Sequence, residues 1–547
     1  MDYTKYRPFS PVKLEKRQWP DCQVSKAPIW CSVDLRDGNQ ALETPMTLPQ
    51  KVEFFKFLLG VGFKEVEIGF PAASETEYRF TRALIEGNLI PKDTVIQVLT
   101  QSREHIIRRT FESVKGAEKA VIHLYNSTST LQREVVFSKS KREIIDLAVS
   151  GAKLVNELAM EYGRNRFIFE YSPESFSGTE MDYAVEICDA VLDIWKPTPE
   201  NKVIINLPNT VEMAPPNVYA DQIEYVHRNI KRRDSIVISL HAHNDRGTAV
   251  AATEMGLMAG AERVEGTLFG NGERTGNADI MNVAMNLYAN GVNPKLDFSA
   301  IDAMIDCYET ATGMNVHPRH PYAGSLVFTA FSGSHQDAIN KGMAKMKDHP
   351  NLWEVPYLPI DPKDLGRTYD PIIRINSQSG KGGVSYILES VFGIRMPKGM
   401  REHFGSVVTQ ISDECSKEML PDEIYKLFDK EYVNIEAPLK LMRYQEMTNG
   451  ETTVEAKILK DGEEVFVTGT GDGIMDAFCR AIKKRFDLVF EIESYSEHSL
   501  EYSSRSRAIT YVEVSDASGR KIYGAGVSGS ISKSSLRAII SAVNKMM

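Results

Sequence analysis

The run Ile29-Trp30-Cys31-Ser32-Val33-Asp34-Leu35 is short, apolar and partly β-branched, and it ends in a polar string, Arg36-Asp37-Gly38-Asn39-Gln40. A buried strand that delivers polar groups at its carboxyl end has this pattern. The same grammar recurs at residues 65–70, 95–100, 120–125, 166–171, 202–207, 236–241 and 263–269. Between these runs lie segments with apolar residues at helical spacing, among them residues 50–59, 138–162 and 217–231. Eight alternations of strand and helix predict an α/β fold closed into a (β/α)8 TIM barrel. A doubly wound open sheet is the rival. Eight units suit closure better, and no Gly-x-Gly-x-x-Gly turn follows the first strand.

Outside this stretch the chain changes character. Its 547 residues correspond to three or four domains at roughly 100–200 residues each. The boundaries read as an N-terminal extension over 1–28, the barrel over 29–324, a small helical linker region over 325–437 and a C-terminal α+β domain over 438–547. That last domain carries a weak internal repeat. Residues 452–469 read as strand, Asp461-Gly462 turn and strand, followed by a helical stretch over 475–485. Residues 509–526 repeat this around Ser518-Gly519, followed by a helix over 533–545. Arg480-Ala481-Ile482 aligns with Arg537-Ala538-Ile539, and Gly469 with Gly526, both at an offset of 57 residues. A duplicated β-β-α unit fits a small-molecule sensor or a dimerisation module, and it fits a plain packed domain equally well.

Composition narrows the class. With 42% hydrophobic and 25% charged residues, the chain can bury a large core without staples. No apolar run approaches the ~18 residues of a membrane span, and the first residues lack the apolar centre of a secretory signal. Cys22, Cys31, Cys188, Cys307, Cys415 and Cys479 are scattered with no Cys-x-x-Cys pair, which fits a reducing compartment. A net charge of −10 without a basic block shows no nucleic-acid footprint. The expectation is a multi-domain cytoplasmic enzyme with neither membrane nor nucleic-acid partners.

In such a barrel, catalytic groups gather where the strands end. His241 and His243, at i and i+2 on one strand, face the same side and can address one ion. Asp37, from the first strand, adds a hard anionic ligand across the mouth. Two imidazoles plus oxygen ligands suit a divalent ion, Mg, Mn or Zn, with positions left open for substrate. Arg36 beside that carboxylate is placed to bind a carboxylate or an enolate oxygen. Glu174 reads as a helix-start residue or a catalytic group with equal weight. Thr210 is a helix cap or, with Asn206 and Pro208, a hydrogen-bonding partner for a substrate carboxylate. The stretch Gly270-Asn-Gly-Glu-Arg-Thr-Gly276 is a bare turn or a backbone cradle for phosphate.

Taken together, Leu35-Arg36-Asp37-Gly38-Asn39-Gln40, Glu67-Ile68-Gly69-Phe70-Pro71, His241-Ala-His-Asn-Asp245 and Gly270-Asn-Gly-Glu-Arg-Thr-Gly-Asn277 resemble the 2-isopropylmalate synthases. Phe331-Ser-Gly-Ser-His-Gln-Asp337, Val355-Pro-Tyr-Leu-Pro-Ile-Asp361 and Asn376-Ser-Gln-Ser-Gly-Lys-Gly-Gly383 resemble the longer of that family's two subfamilies. The resemblance implies condensation of acetyl-CoA with 2-oxoisovalerate in leucine biosynthesis. It also implies a homodimer, feedback inhibition by leucine and activation by a monovalent cation such as K. It carries over Asn277 as a further metal ligand, and Glu174, His335 and Tyr357 beside Arg36 as catalytic groups, without deciding the base. Thr210 would hold the substrate carboxylate, and Leu99, His123, Tyr125, Ser172, Asn206 and Pro208 would shape the side-chain pocket. His335 and Tyr357 would reach the barrel of the partner subunit. Gly471, Gly473 and Ala477 would belong to the leucine site, although this chain reads Gly471-Asp472-Gly473-Ile474 where the family usually has Gly-Asn-Gly-Pro. The rivals are citramalate or homocitrate synthase, a lyase running in reverse, or a non-catalytic amino-acid sensor.

Overall fold

A computed structural model describes residues 9–330, 333–346, 352–368, 381–415, 419–501 and 506–547. The chain forms two compact units, one of Met1–Val327 with Ile360–Tyr369, the other of Phe328–Pro359 with Asp370–Met547. The first is a closed barrel of eight parallel strands in sequence order. These are β1 (Ile29–Ser32), β2 (Glu65–Gly69), β3 (Val95–Gln101), β4 (Ala120–Ser127), β5 (Phe167–Glu174), β6 (Val203–Asn209), β7 (Ile236–Ala242) and β8 (Arg263–Gly266). The helices that follow them are α1 (Leu48–Val61), α2 (Glu75–Glu86), α3 (Glu104–Ser113), α4 (Lys141–Tyr162), α5 (Met181–Trp195), α6 (Pro216–Asn229), α7 (Ala249–Met258) and α8 (Ile280–Ala289), with α9 (Ile301–Thr312) after them. Local chemistry sets the helix starts. Ser140 and Glu143 form a reciprocal capping box at α4, with Ser140 N–H donating to Glu143 Oε2 at 2.8 Å.

Strand ends differ from the sequence reading in both directions. β1 stops at Ser32 rather than at 35, because residues Asp34–Gly38 wind into a wide π-type turn closed by Gly38 N–H to Val33 O at 3.1 Å. The buried Asp34 carboxylate holds this turn by accepting from Leu268 N–H at 3.1 Å and from Ser32 Oγ at 2.7 Å. β4, β5 and β6 run past their predicted ends, since Asn126 and Ser127 continue to pair with Pro173 and Glu174.

Alternation along each strand decides what fills the barrel. The i, i+2 rule places Glu67, Gln97, Leu99, His123, Tyr125, Glu170, Ser172, Asn206, Pro208, Ser239, His241, Arg263 and Glu265 on one face. All of these but Tyr125 are buried. Many barrels fill this space with Val, Ile and Leu; here it is charged and polar.

The second unit contains helices α10 (Gly333–Met346), α11 (Lys381–Phe392), α12 (Lys398–Cys415) and α13 (Pro421–Tyr432). Then come β9 (Leu439–Asn449), β10 (Glu451–Lys460), β11 (Glu463–Gly471) and α14 (Ile474–Phe486), and again β12 (Phe490–Ser499), β13 (Ala508–Asp516), β14 (Lys521–Ser528) and α15 (Ile531–Asn544). The repeat is therefore β-β-β-α, one strand longer than predicted, in two antiparallel sheets of order β11-β10-β9 and β12-β13-β14. The aligned glycines explain its packing. A Cβ on Gly469 would lie 2.4 Å from Ala477 O, and one on Gly526 would lie 1.9 Å from Ser534 O, so each helix rests on bare strand backbone. Residues 331–332 and 376–380, from two of the three linker motifs, and the first eight residues of the N-terminal extension lie outside the described residues. Among the described residues no helix is long and apolar enough to cross a membrane.

Candidate active site

The strand ends of the barrel enclose a cavity of about 330 Å3. Arg36, Asp37, Leu99, His123, Tyr125, Ser172, Glu174, Asn206, Pro208, Thr210, His241 and His243 all line it. So do Gln40, Phe70, Glu273 and Arg274, to which the sequence reading gave no role. All four lie inside quoted motifs, so their positions were in view while their chemistry was not.

At the buried end, the π-turn after β1 brings Asp37 up to β7. Asp37 Oδ2 is 3.4 Å from His241 Nε2 and 3.6 Å from His243 Nε2. The two rings lie 5.3 Å apart, and the three ligand atoms are close enough to share one ion. Asn277 joins them through a bridge to His243. It arrives on the loop after β8, whose Gly276 sits at φ +98°, where a Cβ would meet Gly270 O at 1.9 Å. Asn271 Nδ2 ties that loop to Gly38 O at 3.0 Å, and Arg274 ties it to Asp245 at 2.7 Å and to Thr210 O at 2.6 Å. Gly276 N–H and Asn277 N–H are spent inside the loop. The loop therefore works as an anchored arm that delivers Asn277, rather than as an open ring of amides.

The donor set fits a divalent ion. Asp37 Oδ2 and Asn277 Oδ1 are buried with no hydrogen-bond partner among the described residues, a costly state for polar atoms that no cation satisfies. Electrostatics agrees. Burial opposes the charge on Asp37, yet Arg36 and His241 hold its carboxyl well below the usual range. Burial also opposes protonation of His241, but Asp37 and Glu265 lift it to about 9 in the metal-free chain. Burial and the neighbouring His241 push His243 down to about 4.

Arg36 is clamped, with Nε donating to Glu67 Oε2 at 2.5 Å and Nη1 to Asp37 Oδ1 at 3.0 Å. Thr210 Oγ1 accepts from Ser175 N–H at 2.9 Å, which leaves its hydroxyl proton for another acceptor. Ser127 Oγ donates to the Glu174 carboxylate. Beneath these groups, His123 contacts Glu67 at 2.8 Å and Ser172 Oγ at 2.7 Å. With Glu170 and Glu265 it forms a second cluster of potential ligands. Both His123 nitrogens and both Glu265 oxygens are already hydrogen-bonded, while both Glu170 oxygens have no hydrogen-bond partner among the described residues, and burial beside Glu265 raises the Glu170 carboxyl well above the usual range. The remaining catalytic candidates, His335 and Tyr357, belong to the second unit, where their rings stack at 4.1 Å. Gly471, Gly473 and Ala477 lie at the turn into α14, which Asp472 N–H closes onto Asp476 Oδ2 at 3.1 Å.

A closed parallel barrel with an ion-competent carboxylate and two imidazoles at its mouth defines a metal-dependent barrel enzyme, and residues 27–307 match the family described as HMGL-like. Residues 325–389 match the alpha-isopropylmalate synthase post-catalytic domain, and residues 418–547 match the LeuA allosteric (dimerisation) domain. A 2-isopropylmalate synthase of Acetoanaerobium sticklandii is 59% identical over 100% of this chain and 97% of its own length. Those of Clostridium acetobutylicum and Helicobacter hepaticus are 54% and 53% identical, covering 100% of this chain and 99% and 100% of themselves. Among solved structures, a hydroxymethylglutaryl-CoA lyase from Pseudomonas aeruginosa is 16% identical, covers 54% of this chain and 96% of its own, and has a TM-score of 0.44. The chain belongs to the 2-isopropylmalate synthase family.

Proposed function

We propose that the chain condenses acetyl-CoA with 2-oxoisovalerate and water to give 2-isopropylmalate and free CoA, as a cytoplasmic, leucine-inhibited homodimer. The observation that carries this is the Asp37–His241–His243 cluster at the buried end of a cavity whose wall also holds Arg36 and Thr210. A divalent ion, Mg, Mn or Zn, held by these three residues and Asn277, supplies Lewis acidity toward the oxoacid ketone.

The chain's own residues do the rest. Thr210 donates its free hydroxyl proton to the oxoacid carboxylate. Leu99 and Pro208 give the branched side chain an apolar wall, and His123, Tyr125, Ser172 and Asn206 close the pocket around it. The acetyl methyl group must lose a proton before its carbon can attack the ketone, and that step needs a base and a partner for the developing negative charge. Arg36, fixed by two carboxylates, meets that charge. Glu174, held by Ser127, and the stacked His335–Tyr357 pair are the groups that move the proton. Water then cleaves the thioester and releases CoA.

The test is CoA thiol release with 2-oxoisovalerate, pyruvate and 2-oxoglutarate offered separately, with and without chelator. Chelator-sensitive release with 2-oxoisovalerate preferred supports the reading. Preference for pyruvate or 2-oxoglutarate would reassign the substrate to that of a sister synthase.

A further inference from the structure

Glu265 lies on β8 below the metal-ligand cluster and is fully buried. Its Oε2 is 2.8 Å from His241 Nδ1, on the side of the ring opposite Asp37. We propose that Glu265 is the positioning residue that fixes His241 for metal binding, an inference that rests on the metal-site reading above. A carboxylate in this setting accepts, so Nδ1 keeps its proton, and Nε2, on the Asp37 side of the ring, is the nitrogen that would give its lone pair to an ion. His243 has no such support, because its buried Nδ1 has no hydrogen-bond partner among the described residues. The two imidazoles are therefore unequal, and only one has its tautomer fixed from behind.

Glu265 is itself over-determined. Oε1 accepts from Arg263 Nη1 and from Gln97 Nε2, both at 2.8 Å, and Oε2 also accepts from Asn206 Nδ2 at 3.2 Å. Each of these hydrogen-bonding partners is a donor. Glutamine has the same shape but must aim its amide N–H at one of these pairs. The permanent charge of Arg263 draws the amide oxygen, so the N–H2 turns to His241 Nδ1. That nitrogen must then accept, and its proton moves to Nε2, where the ion would bind. Replacing the carboxylate behind a working imidazole has this effect in other sites.

The test titrates metal-stripped full-length protein with Mn(II) by calorimetry and records the Co(II) visible spectrum. Wild type is compared with Glu265→Gln, Glu265→Asp, Glu170→Gln and His241→Ala. The expected result is a ten- to hundredfold loss of Mn(II) affinity in Glu265→Gln, about the loss that removing such a partner causes elsewhere, with an altered Co(II) spectrum. Glu170→Gln lies in the same buried layer without a hydrogen bond to His241, and should stay within twofold of wild type. Glu265→Asp keeps the charge opposite Arg263 but is one methylene short, and should bind several-fold more weakly; it decides the matter if the glutamine variant does not fold. Wild-type affinity in both Glu265 variants overturns the positioning role. Full affinity in His241→Ala overturns the metal-site reading itself, which keeps the two failures distinct.

Discussion

Arg36 carries two carboxylates and still presents itself to the cavity, and only a planar fork can do so. Lysine keeps the charge but gathers its three donors on one nitrogen, so it cannot hold Glu67 and Asp37 from two separate nitrogens, as Nε and Nη1 do at 2.5 and 3.0 Å, and still turn a further N–H2 to the cavity. Arg36→Lys should therefore lose about 10²–10³-fold in kcat with a small change in KM for the oxoacid, since a preorganised donor acts mainly on developing charge. Steady-state kinetics checks this, and an equal loss through KM alone would mean that Arg36 only binds. Asp37, His241 and His243 were legible because ligand chemistry demands those residue types and a strand demands the i, i+2 spacing. The layer of Glu67, Gln97, Glu170, Arg263 and Glu265 gave a fainter sign. Charged residues alternate in Glu65-Val-Glu67 and Arg263-Val-Glu265, but which of them meet depends on register across the closed barrel.

At the scale of the element, Glu180 fastens the start of α5 to the turn after β4. Arg133 grips its two oxygens at 2.8 and 3.0 Å, and Lys141 approaches to 3.2 Å. Burial opposes this charge, but the two cations hold the carboxyl at about 2, down from 4.5. A depressed folded-state value gives stability that is present above pH 4.5 and lost as pH falls toward 2. Glu180 is 38% exposed, so screening reduces the benefit to about 1 kcal/mol at neutral pH. The urea midpoint of Glu180→Gln should fall below that of wild type at pH 7, and the gap should narrow as pH drops from 5 toward 3. Packing yields a second expectation. Gly526→Ala places a methyl group 1.9 Å from Ser534 O and 2.5 Å from Ala538 N, so it should cost about 1–3 kcal/mol in denaturant unfolding. The repeat offset foretold that glycine pair, yet the third strand of each repeat escaped the sequence reading. β9 and β12 are largely exposed, with only their first residues firmly buried, so they lack the apolar alternation by which strands are recognised.

For the whole molecule, the obvious experiment on leucine feedback is deletion from Pro438 onward, and the structure argues against it. Ile509, Tyr511, Tyr523 and Ala525 from the last domain share one core with α11, α12 and α13. Truncation would strip that core, so loss of leucine response in the truncated chain would not locate the leucine site. Full-length subunits offer a cleaner test of how the enzyme is assembled. The barrel supplies His241, the second unit supplies His335 stacked on Tyr357, and the family resemblance implies that each pair reaches the partner's barrel. His241→Ala and His335→Ala homodimers should each be inactive. After mixing and reassociation, a hybrid dimer has one site with both lesions and one with neither. Random pairing makes about half of the dimers hybrid, so about one quarter of wild-type activity should return. If His335 served the barrel of its own chain, every site in the mixture would keep one lesion and no activity would return.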